Sequence, residues 1–239
     1  MCTNPHIKTF KFRMLSIHQI RLRLRQHDWL ATLDLQDAYW HIPMHPRFRK
    51  FLAFQVREET YQFTRLPFGL SIAPRVFTRV SKIVAQVLEA EGIHCLMYLD
   101  DWLVAGPSKE ATQRAVTRTM EVAEGMGFLF NMEKSRPQPS LCIVWLGMSW
   151  GSRMAMVRLS EDNARKAPLK LFRALFSITM SRRQWDSLLG SLNFAAEATP
   201  LGRLRLRRLV RVINRAIPVQ PRDVQLPLPE GSLPLLEDW

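Results

Sequence analysis

The stretch His94-Cys95-Leu96-Met97-Tyr98-Leu99-Asp100-Asp101-Trp102-Leu103-Val104-Ala105-Gly106 sets two adjacent carboxylates between two apolar runs. Short apolar runs split by one polar break read as a β-hairpin that turns at the carboxylates. Burying ionised carboxylates without compensation is costly. Like charges side by side also raise each other's pKa. Water at an exposed turn is one solution, since Asp is common in turns. A divalent cation that neutralises both is the other.

Working outward, Asp34 ends a second apolar run, Trp29-Leu30-Ala31-Thr32-Leu33, and Asp37 follows three residues on. A lone Asp at a strand end is a helix cap or a ligand. If the two strands are sheet neighbours, Asp34 and Asp100 face each other across the sheet. Three carboxylates then converge, a donor set suited to a hard cation such as Mg²⁺. Two such ions can stabilise the attacking and leaving oxygens of a phosphoryl displacement. That chemistry is mostly positioning and charge neutralisation.

The rest of the pattern places these carboxylates. A helix is expected at 16–26, a strand at 29–35 and a hairpin at 51–63. Pro67-Phe68-Gly69 punctuates the chain. A helix at 74–90 follows, with Val76, Phe77, Val80, Ile83, Val84 and Val87 on one face. Ser108 caps a helix to Glu124, closed by Gly125 and Gly127. Further strands are expected at 128–131 and 142–150. The order strand, helix, hairpin, helix, strand implies an α+β fold with helices on one face of an antiparallel sheet. After Gly151, Ser160 and Ser181 each open a helical pattern, and Ser181-x-x-Gln184 has capping-box spacing. Residues 201–215 carry Arg203, Arg205, Arg207, Arg208, Arg211 and Arg215 with no acid. The proline- and acid-rich segment from Pro218 reads as a linker or tail. The expected division is 1–151, a helical 152–217 and a tail at 218–239.

Composition narrows the partners. The chain has 239 residues, 47% of them apolar, enough for a sizeable core. A net charge of +13 favours a polyanion, most often nucleic acid. Cys2, Cys95 and Cys142 form neither a CxxC pair nor a zinc spacing, and an odd count argues against a disulfide framework. The N-terminal residues show no apolar leader core, and no long apolar run suggests a membrane span. The expectation is an intracellular protein of the cytoplasm or nucleus, not secreted and with no membrane partner.

Five stretches together resemble the reverse transcriptase family. Leu33-Asp34-Leu35-Gln36-Asp37-Ala38-Tyr39 looks like its first polymerase motif. Arg65-Leu66-Pro67-Phe68-Gly69-Leu70-Ser71-Ile72-Ala73-Pro74 is similar to its template-and-nucleotide motif. Tyr98-Leu99-Asp100-Asp101 matches its YxDD box. Gly127-Phe128-Leu129 through Lys134 resembles the next motif, and Trp145-Leu146-Gly147-Met148 the primer-grip hairpin. One four-letter box is weak; five motifs in order are strong. Ala38-Tyr39-Trp40-His41-Ile42-Pro43 and the stretch 181–214 look most like DIRS-like retrotransposons, with gypsy-like and pararetroviral enzymes as close relatives.

The resemblance implies a palm with a ferredoxin-like core, followed by a mostly helical thumb or connection. It also implies an RNA-directed DNA polymerase, a nucleotidyltransferase working with two Mg²⁺ ions or with Mn²⁺. Its partners would be an RNA or DNA template with a primer, and deoxynucleoside triphosphates. Asp34, Asp100 and Asp101 would hold metal, with the Leu35 carbonyl as a further ligand. Tyr39 would be a steric gate against a ribose 2′-OH; read alone, it is equally a core aromatic. Asp37, Ala38, Phe68 and Gly69 would line the nucleotide pocket, and Lys134 would sit near the leaving pyrophosphate. Tyr98, Leu99, Trp145, Leu146 and Gly147 would meet primer and template. Arg203, Arg207 and Arg211 would grip the duplex backbone. Read alone, apolar 145–150 is more often plain core, and a solvated face is the alternative for the arginines.

Two features depart from the family pattern. Asp34 comes too early for a complete fingers region, and no carboxylate set for an RNase H domain follows. The expectation is therefore a fingers-truncated piece of a retrotransposon polyprotein whose RNase H lies outside this chain. A remnant that only binds nucleic acid is the alternative.

Overall fold

The computed structural model describes residues 3–8, 10–219 and 221–239. It consists of two compact units, Met1–Trp145 with Gly151–Ala155, and Leu146–Trp150 with Met156–Trp239. The chain passes between them after Trp145, Trp150 and Ala155, rather than once at the expected 151.

In the first unit, α1 (Ile17–Arg23) opens on a capping box between Ser16 and Gln19. It stops short of the expected 26 because Leu24 already has extended backbone. Strand β1 (Trp29–Asp34), the short α2 (Pro46–Arg49) and the hairpin β2 (Ala53–Val56) and β3 (Glu59–Gln62) follow. Both hairpin strands are exposed throughout. Then come α3 (Ala73–Ala90), β4 (His94–Tyr98), β5 (Asp101–Gly106) and α4 (Lys109–Gly125). Ser108 caps α4 by accepting the Ala111 N–H at 3.1 Å. The unit continues through β6 (Arg136–Ser140) to β7 (Cys142–Trp145).

The central sheet runs β4-β5-β1-β6, with antiparallel pairing throughout. One face carries Ala31, Leu33, Trp102 and Val104, packed with Phe77, Val84 and Leu88 of α3 and Val116 and Ala123 of α4. This is the expected sheet with helices against it. The buried stripe of α3 is Ala73, Phe77, Ser81, Val84 and Leu88. Ile83, expected on that stripe, is 55% exposed, because one residue is about a 100° rotation on a helix. Segment 128–131 forms only a bridge, Leu35 to Phe130, rather than a strand. Strand β6 was not expected, since its sequence is Arg-Pro-Gln-Pro-Ser. It lies at the sheet edge, where a proline costs no ladder hydrogen bond.

In the second unit, β8 (Met148–Gly151) pairs with β9 (Met156–Leu159). The expected continuous strand 142–150 is broken because Leu146 and Gly147 both take left-handed backbone, φ 50° and 71°. Helix α5 (Glu161–Leu175) begins after Ser160, and β10 (Thr179–Ser181) leads into α6 (Arg182–Ala195). The Ser181–Gln184 capping box is present at the start of α6. In α7 (Gly202–Ala216), Leu206, Leu209 and Ile213 are buried while Arg203, Arg207, Arg208, Arg211 and Arg215 are exposed.

Residues 225–237 carry a strand and a helix, which corrects the linker reading for that part of the segment. Strand β11 (Gln225–Pro227) pairs with β10, and α8 (Ser232–Glu237) buries Leu236 among Trp185, Leu188, Leu209 and Ile213. Proline and acid dominate that sequence, yet a few well-spaced leucines suffice to anchor it. Among the described residues, no helix is long and apolar enough to cross a membrane.

Candidate active site

The register of β1 against β5 sets Asp34 opposite Asp101, not opposite Asp100 as expected. The Leu35 N–H donates to the Asp100 carbonyl at 2.9 Å. By the alternation of an antiparallel ladder, Asp34–Asp101 is then a non-hydrogen-bonded pair, with Cα atoms about 4.5 Å apart. Side chains at such a pair stand on one face and close together. The same face carries Tyr98, opposite Asp101 on β4. It is the face turned away from α3 and α4, because Leu33 and Trp102 point the other way. Farther along, Thr32, Leu103 and Leu96 are buried, whereas Asp34, Asp101 and Tyr98 are half-buried where that cover ends.

Asp100 occupies the two-residue turn between β4 and β5 together with Leu99. Leu99 has φ 53°, an uncommon backbone for a branched residue. Its carbonyl accepts the Trp102 indole N–H at 2.9 Å, which ties the turn to the core.

The carboxylates feel one another. Burial, then Asp100, then Asp34 push Asp101 up to about 6, and Lys134 opposes them. Burial also raises Asp34, with Lys134 pulling down and Asp100 pushing up. Burial raises the Tyr39 phenol, helped by Asp100 and Tyr98. Asp34, Asp100, Asp101, Tyr39, Tyr98 and Lys134 therefore share one electrostatic neighbourhood. Among the described residues, however, no three His, Cys, Asp or Glu side chains close on a point as one cation's ligand set. The expected three-carboxylate convergence is thus a facing pair plus a neighbour. Asp100 stands in the turn, one residue before the Asp101 that faces Asp34. The donor chemistry still fits a hard divalent ion, which would offset the burial and the neighbouring carboxylates that raise Asp101. The Leu35 carbonyl fits too. Its bridge to Phe130 is carried by Gln36 N–H to Leu129 O and Asn131 N–H to Asp34 O, each 2.8 Å, which leaves that carbonyl outside the bonds of the bridge.

The pocket wall follows β1. Asp37 takes left-handed backbone, φ 51°, and starts a 3-10 turn, Ala38–His41, with Ala38 buried. The turn aims Tyr39 at Phe77, 5.5 Å between ring centroids. The Leu66 N–H donates to the Ile42 carbonyl at 2.9 Å and Pro43 bridges Arg65. These links bring Phe68, 58% exposed, to 4.9 Å from the Tyr39 ring. Gly69 beside it has φ 81° and open space where a Cβ would stand.

Two supporting residues escaped the sequence reading. Ser135 accepts the Asp34 N–H at 3.0 Å and donates to the Asn131 carbonyl at 2.7 Å. His41 Nε2 accepts the Leu129 N–H at 3.0 Å while Nδ1 lies 3.1 Å from the Ala38 carbonyl. Both contacts together need the neutral ring with its proton on Nδ1. The conspicuous Tyr-Trp-His run was the only sequence signal for His41; for Ser135 there was none.

Other expected residues belong to the core of this unit or to the second unit. Trp145 is 3% exposed, so its ring is core. Leu146, Gly147, Arg203, Arg207 and Arg211 belong to the second unit. Within that unit the side chain of Asn163 donates to the Gly147 carbonyl at 3.0 Å, and Arg203 pairs with Glu197.

Residues 2–150 match the family model described as reverse transcriptase (RNA-dependent DNA polymerase). The chain belongs to the reverse transcriptase family. Among curated relatives, this reverse transcriptase domain is 27% identical over 183 residues to the "Enzymatic polyprotein" of Cestrum yellow leaf curling virus. That match covers 76% of the chain and 27% of the relative. It is 31% identical over 114 residues to the "Retrovirus-related Pol polyprotein from transposon 412" of Drosophila melanogaster, covering 48% and 9%. The chain therefore spans about a quarter of the first relative and less of the second. A foamy viral protease-reverse transcriptase in complex with double-stranded DNA superimposes with TM-score 0.75 at 19% identity. That superposition covers 98% of this chain and 38% of the other. The same type of viral protein with an RNA/DNA hybrid gives TM-score 0.71 at 20% identity, covering 95% and 28%. Both likenesses establish the reverse transcriptase fold.

Proposed function

We propose that this domain is the polymerase part of a retroelement polyprotein, extending a primer on an RNA or DNA template. The observation that carries this reading is the Asp34–Asp101 pair, with Asp100 and Lys134 in electrostatic reach, on the sheet face away from the helices. The 3′-hydroxyl of the primer attacks the α-phosphate of a deoxynucleoside triphosphate, and pyrophosphate leaves. Asp34, Asp100, Asp101 and the Leu35 carbonyl would hold divalent cations, Mg²⁺ or Mn²⁺, which supply charge neutralisation at the reacting phosphate oxygens. Asp34 and Asp101 are held by the ladder, and Ser135 fixes the backbone at Asp34. Tyr39 backed by Phe77 forms a rigid floor that excludes a 2′-hydroxyl. Phe68 and Gly69 bound the nucleotide, and Lys134 offsets charge on the departing pyrophosphate. The form of 38–43 and of 181–214 supports a DIRS-like retrotransposon origin, acting in cytoplasm or nucleus.

Primer extension on an RNA template with Mg²⁺ tests this. Asp100→Asn should lower extension by at least on the order of 100-fold, the scale of losing one preorganised electrostatic group. Duplex binding with no extension by the unaltered chain would instead favour a nucleic-acid binder. The exposed arginines of α7 favour that second reading.

A further inference from the structure

The loop that carries Phe68 and Gly69 is held from outside by a residue no motif includes. The Asn4 carboxamide donates from Nδ2 to the Gly69 carbonyl and accepts the Ser71 N–H on Oδ1, both at 2.8 Å. One planar group thus copies the two-bond pattern of a strand pair across 65 and 67 residues of sequence. Its own placement is secured. Pro5 stiffens the 3-10 turn Asn4–His6, whose first carbonyl accepts the Ile7 N–H at 3.1 Å. Thr3 donates its hydroxyl to the Phe51 carbonyl at 2.8 Å. Arg75 lies over the Phe10 ring, 3.9 Å from its centroid.

The clamped loop needs such support. Gly69 at φ 81° has few conformational restraints of its own. Phe68 is largely exposed, and the rings facing it are Tyr39 at 4.9 Å and Trp40 at 6.4 Å between centroids. A loop free to move would carry Phe68 away from the Tyr39 ring and enlarge the pocket.

We infer that Asn4 is a positioning residue for nucleotide binding: its carboxamide clamps the Gly69–Ser71 backbone and thereby keeps Phe68 against Tyr39. The inference rests on the nucleotide pocket proposed above. It adds a residue outside the polymerase motifs to the parts that set nucleotide affinity.

The test uses the full chain and two readouts. Amide hydrogen exchange at Ser71 reads the clamp without any activity. Asn4→Ala removes both bonds, and loss of two net hydrogen bonds shifts an opening equilibrium by roughly 10- to 100-fold, so Ser71 exchange should speed up by about that factor. Asn4→Asp keeps an acceptor for the Ser71 N–H but turns an oxygen toward the Gly69 carbonyl. It should restore Ser71 protection without restoring the Gly69 half. Nucleotide affinity is read from the deoxynucleotide concentration that stabilises a ternary complex on a chain-terminated primer, which needs no turnover. Asn4→Ala should weaken it by roughly five- to tenfold while duplex affinity stays within about twofold. Unchanged Ser71 exchange overturns the clamp. Faster exchange with unchanged nucleotide affinity overturns its role in the pocket. An unaltered chain that binds nucleotide but never extends a primer refutes the polymerase reading and leaves the clamp standing.

Discussion

Asp34 and Asp101 face each other across adjacent antiparallel strands as a non-hydrogen-bonded pair, the arrangement that brings two side chains closest. Burial and the neighbouring Asp100 and Asp34 hold Asp101 at about 6, above its ordinary 3.8. A carboxyl raised in the folded state takes up protons that the unfolded chain does not. Its stabilising protonation is complete below about 3.8 and is lost as pH rises through about 6. In chelator, the melting temperature should therefore fall across that window. Asp101→Asn should flatten the fall and raise stability at pH 7. A melting profile unchanged by Asp101→Asn would refute the crowding.

The turn that carries Asp100 is tied down by Trp102, fully buried, whose indole N–H meets the Leu99 carbonyl. Trp102→Phe keeps most of the bulk but orphans that carbonyl. The cost should be about 1–3 kcal/mol in urea unfolding. Extension should fall more than the change in folded fraction explains, because Leu99 at φ 53° loses its anchor.

Tyr39 is braced by Phe77 and Phe68, so its ring cannot easily move aside. Tyr39→Ala should admit ribonucleotides, lowering the deoxy-over-ribo preference by roughly 10- to 100-fold. Competitive single-nucleotide incorporation measures it. An unchanged preference would assign Tyr39 to the core alone.

Arg207 and Arg211 stand one turn apart on the exposed face of α7. If they neutralise phosphates, each replacement by Ala should reduce the salt slope of duplex binding by roughly one. Binding by filter retention across a salt series decides it. A slope unaffected by either change leaves these arginines as solvated surface.

Strong periodicity and capping made much of the fold legible. The carboxylate hairpin, the 74–90 helix and the Ser108 and Ser181 caps follow from apolar spacing and short polar side chains. What escaped depended on tertiary context. Strand β6 is masked by two prolines that only an edge position tolerates. Asp101 rather than Asp100 faces Asp34, because register is set by the whole ladder and no local signal reports it. Lys134 lies where its charge lowers both Asp34 and Asp101, a placement that its sequence neighbours do not report. Ser135, His41 and Asn4 act on backbone groups far away in sequence, and apart from the Tyr-Trp-His run around His41 nothing in their own neighbourhoods advertises that.

The pairing of β11 with β10, and the seating of Leu236 beside Ile213, tie residues 225–237 into the helical unit. Anyone trimming the chain at Ile217 to obtain a tidier protein would remove a wall. The bared edge of β10 and the uncovered leucines of α7 would then seek each other in neighbouring molecules. The practical outcome is precipitation during purification, a symptom easily mistaken for intrinsic instability of the first unit.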